Sequence, residues 1–257
     1  GHIVPGVVTG KPIELGGSLG RESATGRGVV EAAALAGEQI GLSLDSSRIA
    51  IQGYGQVGAW AARLAHAQGA KVVALADVGG SIFNSSGIDI AVVDSKIRSG
   101  AKSVVDSGQG DVIGLGLAGA SKIFAVDCDV LMPCALGDAI DEKIATEIKA
   151  KLVVEGANGP LTPKADEVLQ DRKIIVVPDV YANAGGVTCS YLEQCQNFAH
   201  LSWDEAEVNE KVISLMQGAF KRLHSFSVEQ NLPYRLAASV LGVKTIADSH
   251  RMRGLHP

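Results

Sequence analysis

Short aliphatic runs alternate along most of the chain with stretches in which apolar residues recur every three or four positions. After a Gly-rich, extended lead-in over 4–20, Ala24, Val29, Val30, Ala33, Ala34 and Ile40 fall at helical spacing from Ser23 onward, with Gly41 as the stop. Residues 48–53 read as a strand ending in glycine, 57–68 as an Ala-rich helix, and 71–76 as a second strand ending at Asp77. The exchange then repeats: a turn or short hairpin over 81–87, a helix over 88–99, and strands at 130–132, 152–154 and 174–177. Helices at 142–149 and 163–169 separate those strands, and Pro178 stops the last one. Such alternation predicts an α/β fold, doubly wound, with a mostly parallel sheet and helices on both faces. After Asn183 the strands cease, and a helical C-terminal tail is expected over about 186–197, 203–228 and 234–249.

Composition narrows the class. In 257 residues, 46% apolar and 20% charged positions describe a chain that folds, while 31 glycines against 4% aromatics suit aliphatic strands joined by tight turns. A net charge of −5 offers no basic footprint, so neither nucleic acid nor an anionic membrane is expected as a partner. The basic cluster His250, Arg251 and Arg253 reads as a solvated helix end. No apolar run reaches the roughly 18 residues of a membrane span. Cys128, Cys134, Cys189 and Cys195 have neither disulfide nor metal-ligand spacing, which predicts free thiols in a reducing, cytoplasmic setting. Gly1-His2 reads as a cloning remnant, so further native sequence is expected upstream.

The most informative local motif is Gly53-Tyr54-Gly55-Gln56-Val57-Gly58, a G-x-G-x-x-G between a strand and a helix. The three glycines serve different ends. Gly53 permits the tight turn, Gly55 lets a pyrophosphate approach the backbone, and Gly58 allows close helix–strand packing. The amides at the helix start then face the phosphates. Asp77 follows Gly53 by 24 residues, at the end of the next strand, where a carboxylate receives ribose hydroxyls. An Asp that merely opens a turn is the alternative there. Together these features predict a Rossmann-like dinucleotide-binding unit. Val78 supplies neither hydroxyl nor cation for a 2′-phosphate, which favours NAD; NADP stays open through a cation arriving from elsewhere, Arg27 or Lys102.

Three other segments are difficult to explain as scaffold: 20–28, beginning Gly20-Arg21 and containing Ala24-Thr25-Gly26; Glu155-Gly156-Ala157-Asn158-Gly159-Pro160; and 178–191, containing Asn183-Ala184-Gly185-Gly186-Val187 and Ser190-Tyr191. The last two follow strands directly, at the carboxyl edge where open α/β sheets bind ligands. With Leu131–Leu136 (L-x-P-x-A-L), these motifs and their order closely resemble the cofactor-binding domain of the glutamate dehydrogenases, within the glutamate/leucine/phenylalanine/valine dehydrogenase family. The resemblance runs from Gly10 to the C-terminus.

It implies cofactor contacts from Arg21, Thr25, Gly53–Gly58 (with Tyr54, Gln56 and Val57), Asp77, Val78, Ala135, Leu136, Asn158 and Asn183. It also implies substrate contacts from Val187 and Ser190, with Ser190 receiving a side-chain carboxylate. Gly185-Gly186 is expected to let backbone approach a flat ring. Ala24–Gly26 and Ser190 point to glutamate over an apolar amino acid, since a polar group left unpaired rejects the wrong substrate strongly.

The implied reaction is oxidative deamination of L-glutamate to 2-oxoglutarate and ammonia. In the family its lysine and carboxylate belong to an N-terminal substrate domain, the lysine within Gly-Gly-x-Lys. No such motif occurs in this chain; Lys71 and Lys102 read as structural or solvated. Residues 3–200 are therefore expected to form the dinucleotide-binding domain, and 201–257 helices that pack back toward a substrate domain supplied by the rest of the protein. On that view the chain binds dinucleotide without turnover, and the whole enzyme is a homo-oligomer, hexameric by family. Two readings compete: a dehydrogenase for leucine, phenylalanine or valine, and a non-enzymatic dinucleotide sensor.

Overall fold

A computed structural model describes residues 4–254; Gly1-His2, the expected domain start at residue 3 and residues 255–257 lie outside the described residues. Seven strands form one sheet: β1 (Arg48–Gln52), β2 (Lys71–Asp77), β3 (Gly80–Phe83), β4 (Asp111–Leu115), β5 (Val130–Pro133), β6 (Leu152–Val154) and β7 (Ile175–Val177), in the order β4-β3-β2-β1-β5-β6-β7. Strands β2, β1, β5, β6 and β7 run parallel, whereas at one edge β3 pairs antiparallel with β2 and β4 antiparallel with β3. The chain leaves β1 toward β2 and later returns to β1's other side as β5. The strand order therefore reverses between β1 and β5, and their carboxyl ends diverge there.

Alternation along the strands divides the core. Ile49, Ile51, Val130, Met132, Leu152, Val154 and Val177 face one layer; Ala50, Leu131, Val153 and Val176 face the other. Val73 is an extra residue in β2, where the register against β1 slips, so Val73 and Ala74 both face the second layer. The first layer holds α1 (Arg21–Glu38), α2 (Gln56–Ala67) and α3 (Ile90–Arg98). On the second lie α5 (Glu142–Glu147), α6 (Pro163–Asp171) and a 3-10 turn carrying Ile123 and Phe124; the short α4 (Gly116–Ala120) packs on β3 and β4.

The helix boundaries follow local chemistry. Thr162 caps α6 (Ala165 N–H to Oγ1, 3.2 Å) with Pro163 in its first turn. Past the short α7 (Asp179–Ala182), α8 (Gly185–Ala199) is followed by α9 (Glu205–Gln230), which opens on a reciprocal Asp204–Glu207 capping box. Asn231, in the left-handed region at φ 52°, ends α9, and Pro233 precedes α10 (Tyr234–Arg253). Along α9, Val208, Val212, Met216, Phe220 and Leu223 form one buried stripe that joins the first layer of the core. Helix α10 buries only Tyr234 and Ala237 and leaves Leu236, Val240, Val243 and Ile246 exposed. At 100° per residue these four occupy a band of roughly 120° of its circumference.

Two sequence expectations need correction. The lead-in is not simply extended: it makes 3-10 turns at Pro5–Val7 and Ile13–Leu15 and is laced onto α8. Buried Glu193 accepts from the Gly10 amide (2.9 Å), while Gln194, Gln196 and Asn197 donate to Gly6, Ser18 and Gly16. Periodicity also missed β4, because Asp111–Leu115 is an edge strand with no continuous buried face.

The tightest junction joins α2 to β1. A Cβ on Gly58 would lie 1.8 Å from the Gly53 carbonyl oxygen, and that neighbour is backbone, which has no rotamer to change. Gly58→Ala should therefore destabilise the fold by roughly 3 kcal/mol, the upper end of the overpacking range. Denaturant midpoints check this, and a loss within about 0.5 kcal/mol of wild type would show that α2 can back away.

Candidate functional site

At the divergence of β1 and β5 the two following segments meet. Gly53 takes φ +95°, and a Cβ on it would lie 2.9 Å from the Ala135 Cβ. The Cys134 amide donates to the Gln52 carbonyl at 2.7 Å, and the Ala135 amide to Gln52 Oε1 at 3.3 Å. Gly55 differs from its two partners: a Cβ there would meet nothing within 4 Å. Space lies open above it, and the first helical bond runs from the Ala59 amide to the Gly55 carbonyl (2.9 Å). The amides of Gln56, Val57 and Gly58 thus stand at the free N-terminal end of α2. Gln56 is turned sideways, its Nε2 donating to the Glu22 carbonyl (2.9 Å) and tying α2 to α1.

Asp77 ends β2 with its carboxylate already engaged. Oδ1 accepts from the Ser103 hydroxyl (2.5 Å) and the Gly79 amide (2.9 Å); Oδ2 accepts from the Val104 amide (2.7 Å). A carboxylate has about four acceptor positions, so one on Oδ2 stays available. Val78 beside it is exposed. Of the two cations held in reserve, Arg27 faces Glu205 and Glu31, whereas exposed Lys102 adjoins Ser103 at this end of β2.

The sheet's carboxyl edge continues into a cleft of about 390 Å³ lined by Arg21, Thr25, Val57, Cys134, Ala135, Gly156, Ala157, Asn158, Asn183, Gly186 and Val187. Asn183 spans it, Nδ2 donating to Asn158 Oδ1 (2.7 Å) and to the Gly156 carbonyl (3.4 Å). Leu136 lies exposed beside Ala135, and Val187 is exposed at the other wall. Arg21 Nε donates to Ser190 Oγ (3.3 Å), which sets a guanidinium and a hydroxyl side by side. Cys134 floors the cleft, and burial pushes its thiol up to about 12, so it is a neutral wall.

Gly186 lines the cleft, and packing behind it denies a side chain to both Gly185 and Gly186. A Cβ on Gly185 would lie 2.1 Å from the Ala24 carbonyl oxygen, and one on Gly186 2.4 Å from Thr25 Oγ1. The motif glycines serve the crossing of α1 and α8, and that crossing places Arg21 and Thr25 opposite Asn183 and Ser190.

With this geometry in place, comparison with known proteins is decisive about ancestry. Residues 16–254 match the model of the Glutamate/Leucine/Phenylalanine/Valine dehydrogenase family. The chain belongs to that family. It is 44% identical over 259 residues to a glutamate dehydrogenase of Thermotoga maritima, covering all of this chain and 61% of that one. Among solved structures it is similar to the hetero-hexameric glutamate dehydrogenase of Thermus thermophilus in its Leu-bound form (TM-score 0.88, 32% identity) and to the Peptoniphilus asaccharolyticus enzyme (TM-score 0.84, 33% identity). In both cases 98% of this chain covers 58% of the other. The chain spans about three fifths of the length of these relatives. Among the described residues no helix is long and apolar enough to cross a membrane, and no group of three or more His, Cys, Asp or Glu could hold a metal ion.

For this member of the family, the supports behind the site were illegible in sequence. Tyr54 donates to Asp94 Oδ1 (2.9 Å), while Arg63 grips the same carboxylate through Nε (2.6 Å) and Nη2 (2.9 Å). Asp94 lies 40 residues beyond Tyr54 and carries no motif. Burial opposes its charge, but the bonds from Arg63 and Tyr54 outweigh that and hold its pKa below the ordinary 3.8. A depressed carboxylate stabilises the fold above its unfolded pKa, and that contribution is lost as pH falls through the folded value. Asp94→Asn should therefore be less stable than wild type near neutrality, with the gap closing below about pH 4. Urea unfolding across that range measures it; a gap independent of pH would mean that the charge contributes nothing.

Proposed function

We propose that this chain is the nicotinamide-dinucleotide-binding part of an NAD-dependent glutamate dehydrogenase. The observation that carries the reading is the division of labour among three glycines. Gly53 is denied a side chain by its left-handed φ and the contact with Ala135, and Gly58 by the Gly53 carbonyl, whereas Gly55 has room for one and still lacks it. Bare backbone beside open space and a helix N-terminus is what a pyrophosphate needs. The remaining donors fit the rest of a dinucleotide. The spare acceptor on Asp77 Oδ2 suits a ribose hydroxyl, and the amides of Asn158 and Asn183 suit a carboxamide at the far end of the cleft.

When bound, the nicotinamide would accept hydride from the α-carbon of the amino acid. The residues here bind and orient. Thr25, Val57 and Ala135 wall the ring's side of the cleft, and neutral Cys134 floors it. Arg21, which the family resemblance assigned to the cofactor, stands at hydrogen-bond distance from Ser190. We assign this pair to the substrate's side-chain carboxylate, with Val187 at its edge. The lysine and carboxylate that handle protons belong, on this account, to the remaining two fifths of the enzyme. The exposed apolar band of α10 is the face assigned to that part, and assembly into a hexamer is the expected state of the whole protein. Four free cysteines, three of them buried, support a reducing, cytoplasmic setting.

Exposed Val78 and the acceptor on Asp77 favour NAD, and Lys102 is the group that would admit a 2′-phosphate. NADH fluorescence titration of this chain should give saturable binding, tighter than for NADPH. Gly55→Val should weaken it by about tenfold or more at unchanged thermal stability; equal affinities for the two proteins would remove the phosphate site from Gly55. In the whole enzyme, Ser190→Ala should raise KM for glutamate by at least about tenfold without raising KM for leucine. A whole enzyme that already prefers leucine would instead favour the apolar-substrate reading.

A further inference from the structure

The segments that frame the cleft are held from behind by a single guanidinium. Arg235, the second residue of α10, donates from Nη2 to Glu155 Oε1 (2.7 Å); its Nε stands 3.1 Å from Asp166 Oδ2 and its Nη1 3.9 Å from Asp179 Oδ1. Glu155 is fully buried and also accepts from the Asp179 amide (2.8 Å). Asp179 in turn accepts from the amides of Gly159 (2.8 Å) and Val180 (2.7 Å). The three carboxylates come from the segment after β6, from α6 and from the segment after β7. Burial pushes Glu155 up and would by itself lower Arg235, but the facing carboxylates hold the guanidinium charged.

Anchoring α10 by apolar contact requires none of this. A lysine or an aliphatic residue would fill the space, whereas a planar fork fixes direction as well as distance. We propose that Arg235 is a positioning residue for the nicotinamide end of the cleft, transmitting the position of α10 to the Glu155–Pro160 and Asp179–Asn183 segments. The two alternatives on moving α10 are unequal. Parting Arg235 from Glu155 strands a buried charge, which is strongly unfavourable, so the segments carrying Glu155 and Asp179 follow the helix instead. Their movement changes the spacing of Asn158 and Asn183, which face each other across the cleft at 2.7 Å. Because α10 also carries the exposed band assigned above to the rest of the enzyme, a shift of that helix reaches the cofactor's ring end through one side chain.

The proposal rests on the cofactor reading, and its test separates the two. Amide hydrogen exchange and NADH titration are measured on this chain, wild type and variants. Arg235→Met should accelerate exchange at Gly159 and Asp179 by about tenfold or more and weaken NADH by a similar factor, within the range of coupling through packed networks. The amides of Gly53 and Cys134, bonded within the sheet, should be unaffected. Arg235→Lys, which keeps the charge without the fork, should fall between. Tyr234→Phe breaks the neighbouring 2.7 Å contact with His224 and should leave both readouts at wild type, which separates positioning from loosening of α10. If Arg235→Met fails to fold, the double variant E155Q/R235M removes the buried charge, retains an acceptor for the Asp179 amide and is read the same way. Wild-type exchange at Gly159 and Asp179, or wild-type NADH affinity in a folded variant, would overturn the proposal. If the wild-type chain does not bind NADH, the cofactor reading fails, and the exchange data alone decide whether Arg235 holds the two segments.

Discussion

The backbone contact between α2 and the end of β1 governs the rest of this architecture. Gly58 lies against the Gly53 carbonyl with no room for a methyl group, so α2 starts at the sheet's carboxyl edge with its first amides directed past Gly55. Were that helix to begin an ångström farther out, its free amides and the opening between β1 and β5 would no longer address the same point. The parallel strands set the direction of approach, and the reversal of strand order at β1 and β5 leaves the gap. Fold and site therefore share one constraint.

A second constraint operates across the cleft. Gly28, Gly185 and Gly186 are required by the crossing of α1 and α8, and Gly26 by the packing of α1 on α2. The reason is steric: the Ala24 carbonyl oxygen lies 2.1 Å from where a Cβ on Gly185 would sit. Close packing there brings Arg21 alongside Ser190 and Thr25 opposite Asn183, so a motif that reads as a ligand-binding segment owes its glycines to helix packing and its function to the side chains between them.

What was legible in the chain follows from where the signal resides. Strands such as Ile49–Ile51 and Leu152–Val154 are buried on both faces and stand out as aliphatic runs, and the helices between them carry caps and stops of recognisable chemistry. The edge strand Asp111–Leu115 shows no such run, because one side of it meets solvent. The turns of the lead-in have local marks in Pro5, Pro12 and the left-handed Gly16, but the side chains of α8 that hold it lie some 180 residues away. The site divides the same way. Gly53–Gly58, Asp77, Asn158, Asn183 and Ser190 sit in compact motifs and converge on one edge of the sheet. Ser103, Asp94, Arg63 and Arg235 do not, because each reaches its partner from 26 to 80 residues away. A sequence window contains the groups that touch a ligand more readily than those that hold them.

A crystal structure of this chain grown with NADH is the most direct test of the dinucleotide site. The pyrophosphate should lie on the amides at the start of α2 above Gly55, with an adenosine ribose hydroxyl on Asp77 Oδ2 and the carboxamide against the free amide atoms of Asn158 and Asn183, Nδ2 and Oδ1 respectively. Dinucleotide bound elsewhere, for instance in the cavity of about 600 Å³ beside His224, Tyr234 and Arg235, would contradict that site. So would a cleft left empty at saturating NADH.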